Sequence, residues 1–338
     1  MTEALSRAPL GVRIRDARLS LPAMLELVRE AESLGYHSAW LPEGPGRDAL
    51  TEAALLAQAT HRIQIGTGII PVFTRLPTVA AATALTAAQL VPGRIVLGIG
   101  IGHRQHMQAA HGVPFDKPVQ RTREFAEIAR ALCQTGSVEY HGQIYDIDGF
   151  AMEDPVTEPV PIYIAALREG MLRMAGAVAD GVLMNWVTLD YVPRAIELIH
   201  EGARAAGRDP STIRVASYLR TCVCDDPERV ERASRAQVAR YGSMPYYRRY
   251  FQSIGFGDEA QAIEQAWQRD DAQAAAAIVS TRMLRAITIY GSADECRLRL
   301  DAYRQAGLDL PIIAPFPIDE PIEQTFERTL RGCAPAGG

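Results

Sequence analysis

Short runs dense in valine, isoleucine and leucine alternate along this chain with longer stretches in which apolar residues recur every three or four positions. The short runs have the pattern of strands buried on both faces, and the longer stretches that of helices with one buried stripe. Strands are predicted at 10–14, 38–41, 63–67, 95–98, 161–165, 182–185, 213–223 and 311–314, each followed by a helix. The helical stretches are 22–34, 49–60, 78–90, 119–133, 169–179, 191–206, 227–241, 293–306 and 322–330. Gly35, Gly136 and Gly307 stand just past the last apolar-periodic positions, where a left-handed cap suits glycine. A repeated strand–helix unit demands parallel strands, because the helix returns the chain to the same end of the sheet. Eight such units predict a TIM (β/α)8 barrel, with residues 1–338 as one domain.

Two segments interrupt the repeat, at about 103–160 and 241–285. The first contains "VEYHGQIYDIDGF", in which 138–141 and 144–147 flank Gly142-Gln143 as a small hairpin. The second carries extra helical sequence and the aromatic group "MPYYRRYF". Tyr246, Tyr247, Tyr250 and Phe251 there suit either core packing or a pocket for an apolar substrate. Insertions of this kind build the mouth of a barrel.

Composition changes this picture little. The 338 residues are 48% hydrophobic and 22% charged, the profile of a globular chain. A net charge of -5 gives no general attraction to nucleic acid or to an anionic membrane. No apolar run is long enough to span a bilayer and no secretory leader is evident, so a cytoplasmic location is expected. The five cysteines are scattered and read as buried structural thiols. Cys222 and Cys224 form a C-x-C without partners, so no metal site is expected.

In a barrel, chemistry sits at the carboxyl ends of the strands. Three such ends stand out. Strand three runs into "GTGIIPVFTR", with two glycines, two isoleucines and a proline before Arg75. Strand four ends in Gly98-Ile99-Gly100-Ile101-Gly102, which fails as a dinucleotide fingerprint because His103 takes the third glycine's place. Its small residues allow close approach of a flat ring or of backbone, or serve turn geometry. Strand five ends in Ala165-Ala166-Leu167-Arg168-Glu169-Gly170 and leads straight into a helix, whose free amides form either an anion site or a plain tight loop.

The ordered set "ESLGYHSAWLPE", "RDALTEAALLAQATHRIQIGTGIIPVFTRLPTVAAATA", "VPGRIVLGIGIG", "AVADGVL", "AGRDP" and "YGSADECRLRLDAYRQAGLDLPII" resembles the luciferase-like flavin and deazaflavin oxidoreductases. Within them, "GRD", "GTGIIP" and "TRLP" look most like the methylene-tetrahydromethanopterin reductase branch, which uses coenzyme F420. The resemblance implies a bacterial luciferase-like barrel, F420 as cofactor with FMN as the alternative, a small-molecule substrate, and a homodimer through helices near strands two and three. It implies a non-proline cis peptide at Gly68–Ile69, in a bulge that presses against the cofactor ring. It also implies that Gly100 and Gly102 border the ring and that the backbone of Ala165, Ala166, Leu167 and Gly170 receives a phosphate. Asn185, Trp186 and Thr188 would lie beside the cofactor tail. Arg75 is expected either at the phosphate or paired with a carboxylate.

The chain departs from the family at two places. Where several relatives carry a glutamate on strand one, this chain has Gly11-Val12-Arg13-Ile14-Arg15, and Pro42-Glu43-Gly44-Pro45 lacks the histidine that follows strand two in many. Glu43 is the carboxylate left as a candidate acid or base, unless it pairs with Arg13 or Arg47, and Arg13 suits a substrate bearing a carboxylate or phosphate. His103 and His106 either reach the pocket or stay at the surface. The expected activity is hydride transfer between the deazaflavin C5 and a small organic substrate. An FMN-dependent two-component monooxygenase is the alternative, and a barrel that has lost its cofactor the second.

Overall fold

The computed structural model describes residues 8–335. Its twelve strands are β1 (Gly11–Arg13), β2 (Ser38–Leu41), β3 (Gln64–Thr67), β4 (Ile70–Pro71), β5 (Ile95–Gly100), β6 (Ser137–His141), β7 (Asp146–Ala151), β8 (Ile162–Ala165), β9 (Gly181–Asn185), β10 (Arg214–Val223), β11 (Thr288–Gly291) and β12 (Leu310–Pro315). Eight of them, β1, β2, β3, β5, β8, β9, β10 and β12, pair in parallel and close into a (β/α)8 barrel through β9–β10 and β10–β12. All eight expected strands are present.

The barrel floor is aromatic. Trp40 and Tyr163 meet inside with ring centroids 5.4 Å apart, surrounded by Val96, Leu183, Ala216 and Ile312. Gly66 and Gly181 make room for them, since an added Cβ would stand 2.7 Å from the Trp40 ring and 2.4 Å from the Tyr163 ring. Replacing a packed aromatic such as Trp40 by alanine costs about 3–5 kcal/mol. The lower interior is therefore solid, and any site must lie above it.

Two short strands were not legible in the sequence. β4 resumes the line of β3 beyond a bulge and pairs with the end of β5, and β11 pairs with the last residues of β10, outside the barrel closure. In the first insertion the hairpin is shifted. The second strand starts at Asp146, and Gly142 through Tyr145 forms the turn. The cause is Glu124, on the helix Pro118–Thr135, whose carboxylate accepts the amides of Gln143, Ile144 and Tyr145 at 2.9–3.0 Å. The second insertion is the helices Pro245–Ser253, Gly257–Gln268, Ala272–Ile278 and Thr281–Ile287. Tyr250 and Phe251 are core residues within it. The five cysteines are free and buried, as expected. No helix among the described residues is long and apolar enough to cross a membrane.

Candidate active site at the barrel mouth

The joint after β3 is a bulge tied down on every side. The Gly68 amide donates to the Leu41 carbonyl at 2.8 Å, the Glu43 amide donates to the Ile69 carbonyl at 3.1 Å, and the Tyr218 hydroxyl donates to the Gly68 carbonyl at 3.0 Å. The Gly68–Ile69 peptide is cis, where the resemblance implied it. Gly68 is demanded by Tyr218, because a Cβ there would lie 2.0 Å from the phenol oxygen.

The glycines of β5 serve this bulge. A Cβ on Gly98 would stand 1.9 Å from the Thr67 carbonyl oxygen, and one on Gly100 would stand 3.0 Å from Ile69 Cγ1 and 2.9 Å from Ala165 Cβ. Of the readings open for this glycine run, close approach of backbone is thus the one realised at Gly98, while Gly100 seats the Ile69 side chain. Gly102 adopts φ 63°, and a Cβ there would stand 3.4 Å from both Pro71 and Met107, so the left-handed turn rather than close approach requires this glycine.

Above the floor the inner face opens. Arg13, Ile69, Ala165 and Asn185 lie at the carboxyl ends of their strands and are only part-buried, whereas the layer below them is sealed. An aromatic cluster from β9 and the second insertion closes one side. Trp186 takes φ 60°, uncommon for a bulky residue, and its indole lies between Tyr241 at 5.0 Å and the Arg220 guanidinium at 4.6 Å. Tyr247 packs edge-on against Tyr241 at 4.8 Å and accepts a hydrogen bond from Asn185 Nδ2 at 2.9 Å. Burial pushes the Tyr218 and Tyr247 hydroxyls far above the ordinary phenol value, so both remain protonated donors at neutral pH. His103, exposed, meets the Tyr241 and Tyr247 rings from outside at 6.2 and 6.3 Å.

Several polar atoms at this mouth are buried without a partner: Asn185 Oδ1, Trp186 Nε1, and Nε and Nη1 of Arg220. Buried polar groups are normally satisfied, and a concentration of orphans in one place marks a site for a polar ligand. Thr188, also buried, begins the turn after β9.

Beyond β8, Ala166 and Leu167 are buried and lead to the helix Glu169–Val178, whose first turn has no side-chain cap. A Cβ on Gly170 would meet nothing within 4 Å. The Tyr246 hydroxyl lies against the amides of Arg168 and Leu167, and burial, partly offset by Arg168, pushes it up to about 12. The Ala166 amide, one of those expected at a phosphate, instead donates to the Leu183 carbonyl at 3.2 Å, which leaves the turn from Leu167 to Gly170 to offer donors to oxygen atoms.

Glu43 and Arg75 stand together beside the mouth. Arg75 Nη1 donates to Glu43 Oε1 at 2.6 Å, Arg75 Nη2 pairs with Asp48, and the Ala49 amide donates to Glu43 Oε2 at 3.3 Å. Burial lowers the Arg75 pKa, but the two carboxylates outweigh it and leave it raised. Of the two readings open for Arg75, pairing with a carboxylate is the one realised. Glu43 is held by an arginine, but by Arg75 and not by Arg13 or Arg47, the partners expected. Arg15 and Arg47 instead share Glu52, at 3.2 and 2.7 Å.

Arg220, Tyr218 and Tyr241 were not singled out in the sequence, whereas Tyr247, read there as core or as pocket lining, stands at the mouth. The alternation of β10 carries a signal for two of them: Ala216 and Tyr218 face the interior, so Arg220 does too.

A parallel (β/α)8 barrel, open only at the carboxyl ends of its strands and rimmed there by a backbone bulge, unpartnered polar groups and uncapped amides, is the architecture of a small-ligand-binding enzyme. The chain belongs to the luciferase-like monooxygenase family, whose model matches residues 6–310. It is 29% identical to the 5,10-methylenetetrahydromethanopterin reductase of Methanolobus tindarius, covering 85% of this chain and 88% of that one. Among solved structures it is similar to the coenzyme F420 dependent tetrahydromethanopterin reductase from Methanopyrus kandleri, with TM-score 0.81, 25% identity, and 97% and 98% of the two chains covered. It shares its fold with the oxygenating constituent of 3,6-diketocamphane monooxygenase from Pseudomonas putida, solved with FMN, at TM-score 0.65, 18% identity, and 97% and 98% coverage.

Proposed function

We propose that the chain is a coenzyme F420-dependent oxidoreductase that transfers a hydride between the deazaflavin and a small organic substrate. The observation that carries this reading is the part-exposed Ile69, seated over Gly100 on a fixed bulge at the open end of an interior that is sealed below it. It offers an apolar backing for a flat ring. The family's reductase members support the deazaflavin, because the flavin-binding neighbour stands at 18% identity and speaks for the fold alone.

The residues present fit such a group. Gly68 and Ile69 would back the ring. Of the amides expected at the phosphate, those of Leu167 and Gly170 would take it, joined by Arg168 in place of the engaged Ala166, with charge-assisted hydrogen bonds at the positive end of a helix. Asn185, Trp186 and Thr188 would flank the tail. When bound, the cofactor supplies or accepts a hydride at its C5.

The chain's own task is positioning and exclusion of water. Tyr218 fixes the bulge by its hydrogen bond to Gly68. Trp186, Tyr241 and Tyr247 wall the mouth against solvent. Glu43 is engaged by Arg75, so the reading gives it a part in holding the loop after β2 rather than a proton to move. Arg13, on the inner face, is left to meet substrate.

We infer that the protein forms a homodimer. Leu76 and Val79, 60% and 52% exposed, present an apolar face one turn apart at the start of the alanine-rich helix Pro77–Leu90.

Titrating the purified protein with F420 and, separately, with FMN, followed by fluorescence and by heat, tests the reading. Saturable binding of F420 and weaker binding of FMN is expected. FMN binding without F420 binding would point to the monooxygenase, and binding of neither to a barrel that has lost its cofactor.

A further inference from the structure

Two arginines share the mouth with no acid to neutralise them. β12 lies between β1 and β10, and the register sets Arg220 level with Ala314 and Val12 level with Ile313, so Arg13, the next residue, is level with Ala314 as well. Neighbouring strands are about 4.8 Å apart, which puts the two arginine backbones about 10 Å apart with both side chains on the inner face. Between them stands only the methyl group of Ala314, itself part of the interior cluster.

Among the described residues neither guanidinium forms an ion pair or a side-chain hydrogen bond. Arg220 is 5% exposed, and its Nε and Nη1 are buried without a partner. Arg13 is part-buried and reachable from the mouth. The acid that faces Arg13, Asp16, is engaged by Arg18 through hydrogen bonds of 2.7 and 3.0 Å. Burial first, and the Arg220 charge second, lower the Arg13 pKa, as expected of two cations crowded together out of water. Isolated buried charges are unfavourable unless paired, and an unpaired couple of like sign more so.

The surroundings define what fits between them. Trp186 forms a flat wall 4.6 Å from the Arg220 guanidinium, and its own Nε1 is a further buried donor without an acceptor. Tyr218, which both arginines face, reaches across to the Gly68 carbonyl at 3.0 Å. The cationic corner is thus one side chain away from the bulge that would back the ring. Donors abound here, and what is missing is an acceptor with negative charge.

We propose that Arg13 and Arg220 clamp an oxyanion carried by the substrate, a carboxylate or a phosphate, so that the enzyme acts on a small organic acid or ester of phosphate. The planar forks of two guanidiniums suit the oxygens of such a group, and the clamp fixes the end of the substrate remote from the reacting carbon. The inference rests on the reading of the mouth as the active site.

The test uses the full-length protein with benzoate, phenyl phosphate and neutral benzamide as probes, measured by calorimetry and by thermal shift. At least one of the two anions is expected to bind and to raise the melting temperature, while benzamide does neither, and the preferred anion names the group. Arg13→Gln and Arg220→Gln are each expected to weaken that anion by about 10-fold or more, with Arg220→Lys intermediate. F420 affinity is expected to change by less than about threefold in Arg13→Gln, while Arg220→Gln, whose side chain lies 4.6 Å from Trp186 beside the cofactor tail, is judged by the anion. If Arg220→Gln does not fold, Arg13→Gln, at the part-exposed rim, carries the comparison. Anions that bind no better than benzamide, or variants that bind them as the wild type does, would overturn the proposal. So would a parallel loss of F420 and anion binding in the variants, which would assign the pair to the cofactor's own phosphate. Anion binding that depends on both arginines in a protein that never takes up F420 would uphold the clamp and sink the cofactor reading instead.

Discussion

Gly170 separates stability from binding. It lies in the first turn of the helix Glu169–Val178, and a methyl group added there would meet no protein atom within 4 Å. A glycine-to-alanine change inside a helix gains about 1 kcal/mol, and in an exposed first turn we take about half of that. For a chain of 338 residues the melting temperature should then rise by about 0.7 °C. If the same open space holds the cofactor's phosphate, the added methyl group displaces it from the amides. Loss of one hydrogen bond to a charged group is worth about 1.5–3 kcal/mol, or roughly 10- to 100-fold in affinity. Gly170→Ala should therefore melt at or slightly above the wild-type temperature and bind F420 at least about 10-fold more weakly. Scanning calorimetry and a fluorescence titration on the same sample give both numbers. Unchanged affinity in a stable variant would refute the assignment of this helix start to the phosphate.

Gly100→Ala acts on the other side of the site: its Cβ, 3.0 Å from Ile69 and 2.9 Å from Ala165, should push Ile69 into the mouth, lowering stability by about 1–3 kcal/mol and weakening F420. Binding that survives intact in this variant would argue against Ile69 as the backing of the ring. Glu124 shows a pH dependence of known sign. Burial alone would raise its pKa, but hydrogen bonds from Gln120 and the amides of Tyr145, Ile144 and Gln143 outweigh it and hold it below the ordinary value. Its stabilisation is present above the unfolded-state pKa of about 4.3 and is lost as pH falls through the lower folded value. Glu124→Gln should thus cost about 2 kcal/mol at neutral pH, with the gap to wild type closing in acid, as urea titrations at the two pH values would register. A gap that widens in acid would contradict this. For the inferred dimer, light scattering should give twice 36.9 kDa, and the double change Leu76→Asp with Val79→Arg should give 36.9 kDa; a wild-type monomer would dispose of that interface.

The barrel was legible because its strands are buried on both faces and therefore read as unbroken apolar runs. β4 was not, since two residues leave no periodicity to read, and β11 was not, since Thr288–Gly291 follows the helix Thr281–Ile287 with no loop residue between them. The hairpin turn was misplaced because Gly142-Gln143 is a plausible two-residue turn on its own, and only Glu124, 19 residues from Gln143, enlarges it. At the site, the bulge and the small residues of strands four and five were visible as composition. What they were for was not: the space beside Gly98 goes to the Thr67 carbonyl, a partner 31 residues away. Arg220 escaped notice for a similar reason. An arginine in a strand normally faces water, and only closure of β10 against β9 and β12 turns its face inward. Glu43 shows the converse, a carboxylate at the right strand end whose arginine partner, Arg75, lies 32 residues on.

Diffraction from crystals grown with F420 tests the central claim most directly. The account expects the deazaflavin ring in van der Waals contact with Ile69, inside the ring of β-strand ends, and the phosphate on the amides between Leu167 and Gly170. A cofactor bound elsewhere on the barrel, or a mouth filled by Trp186 and Tyr247 with no density for the ring, would contradict it.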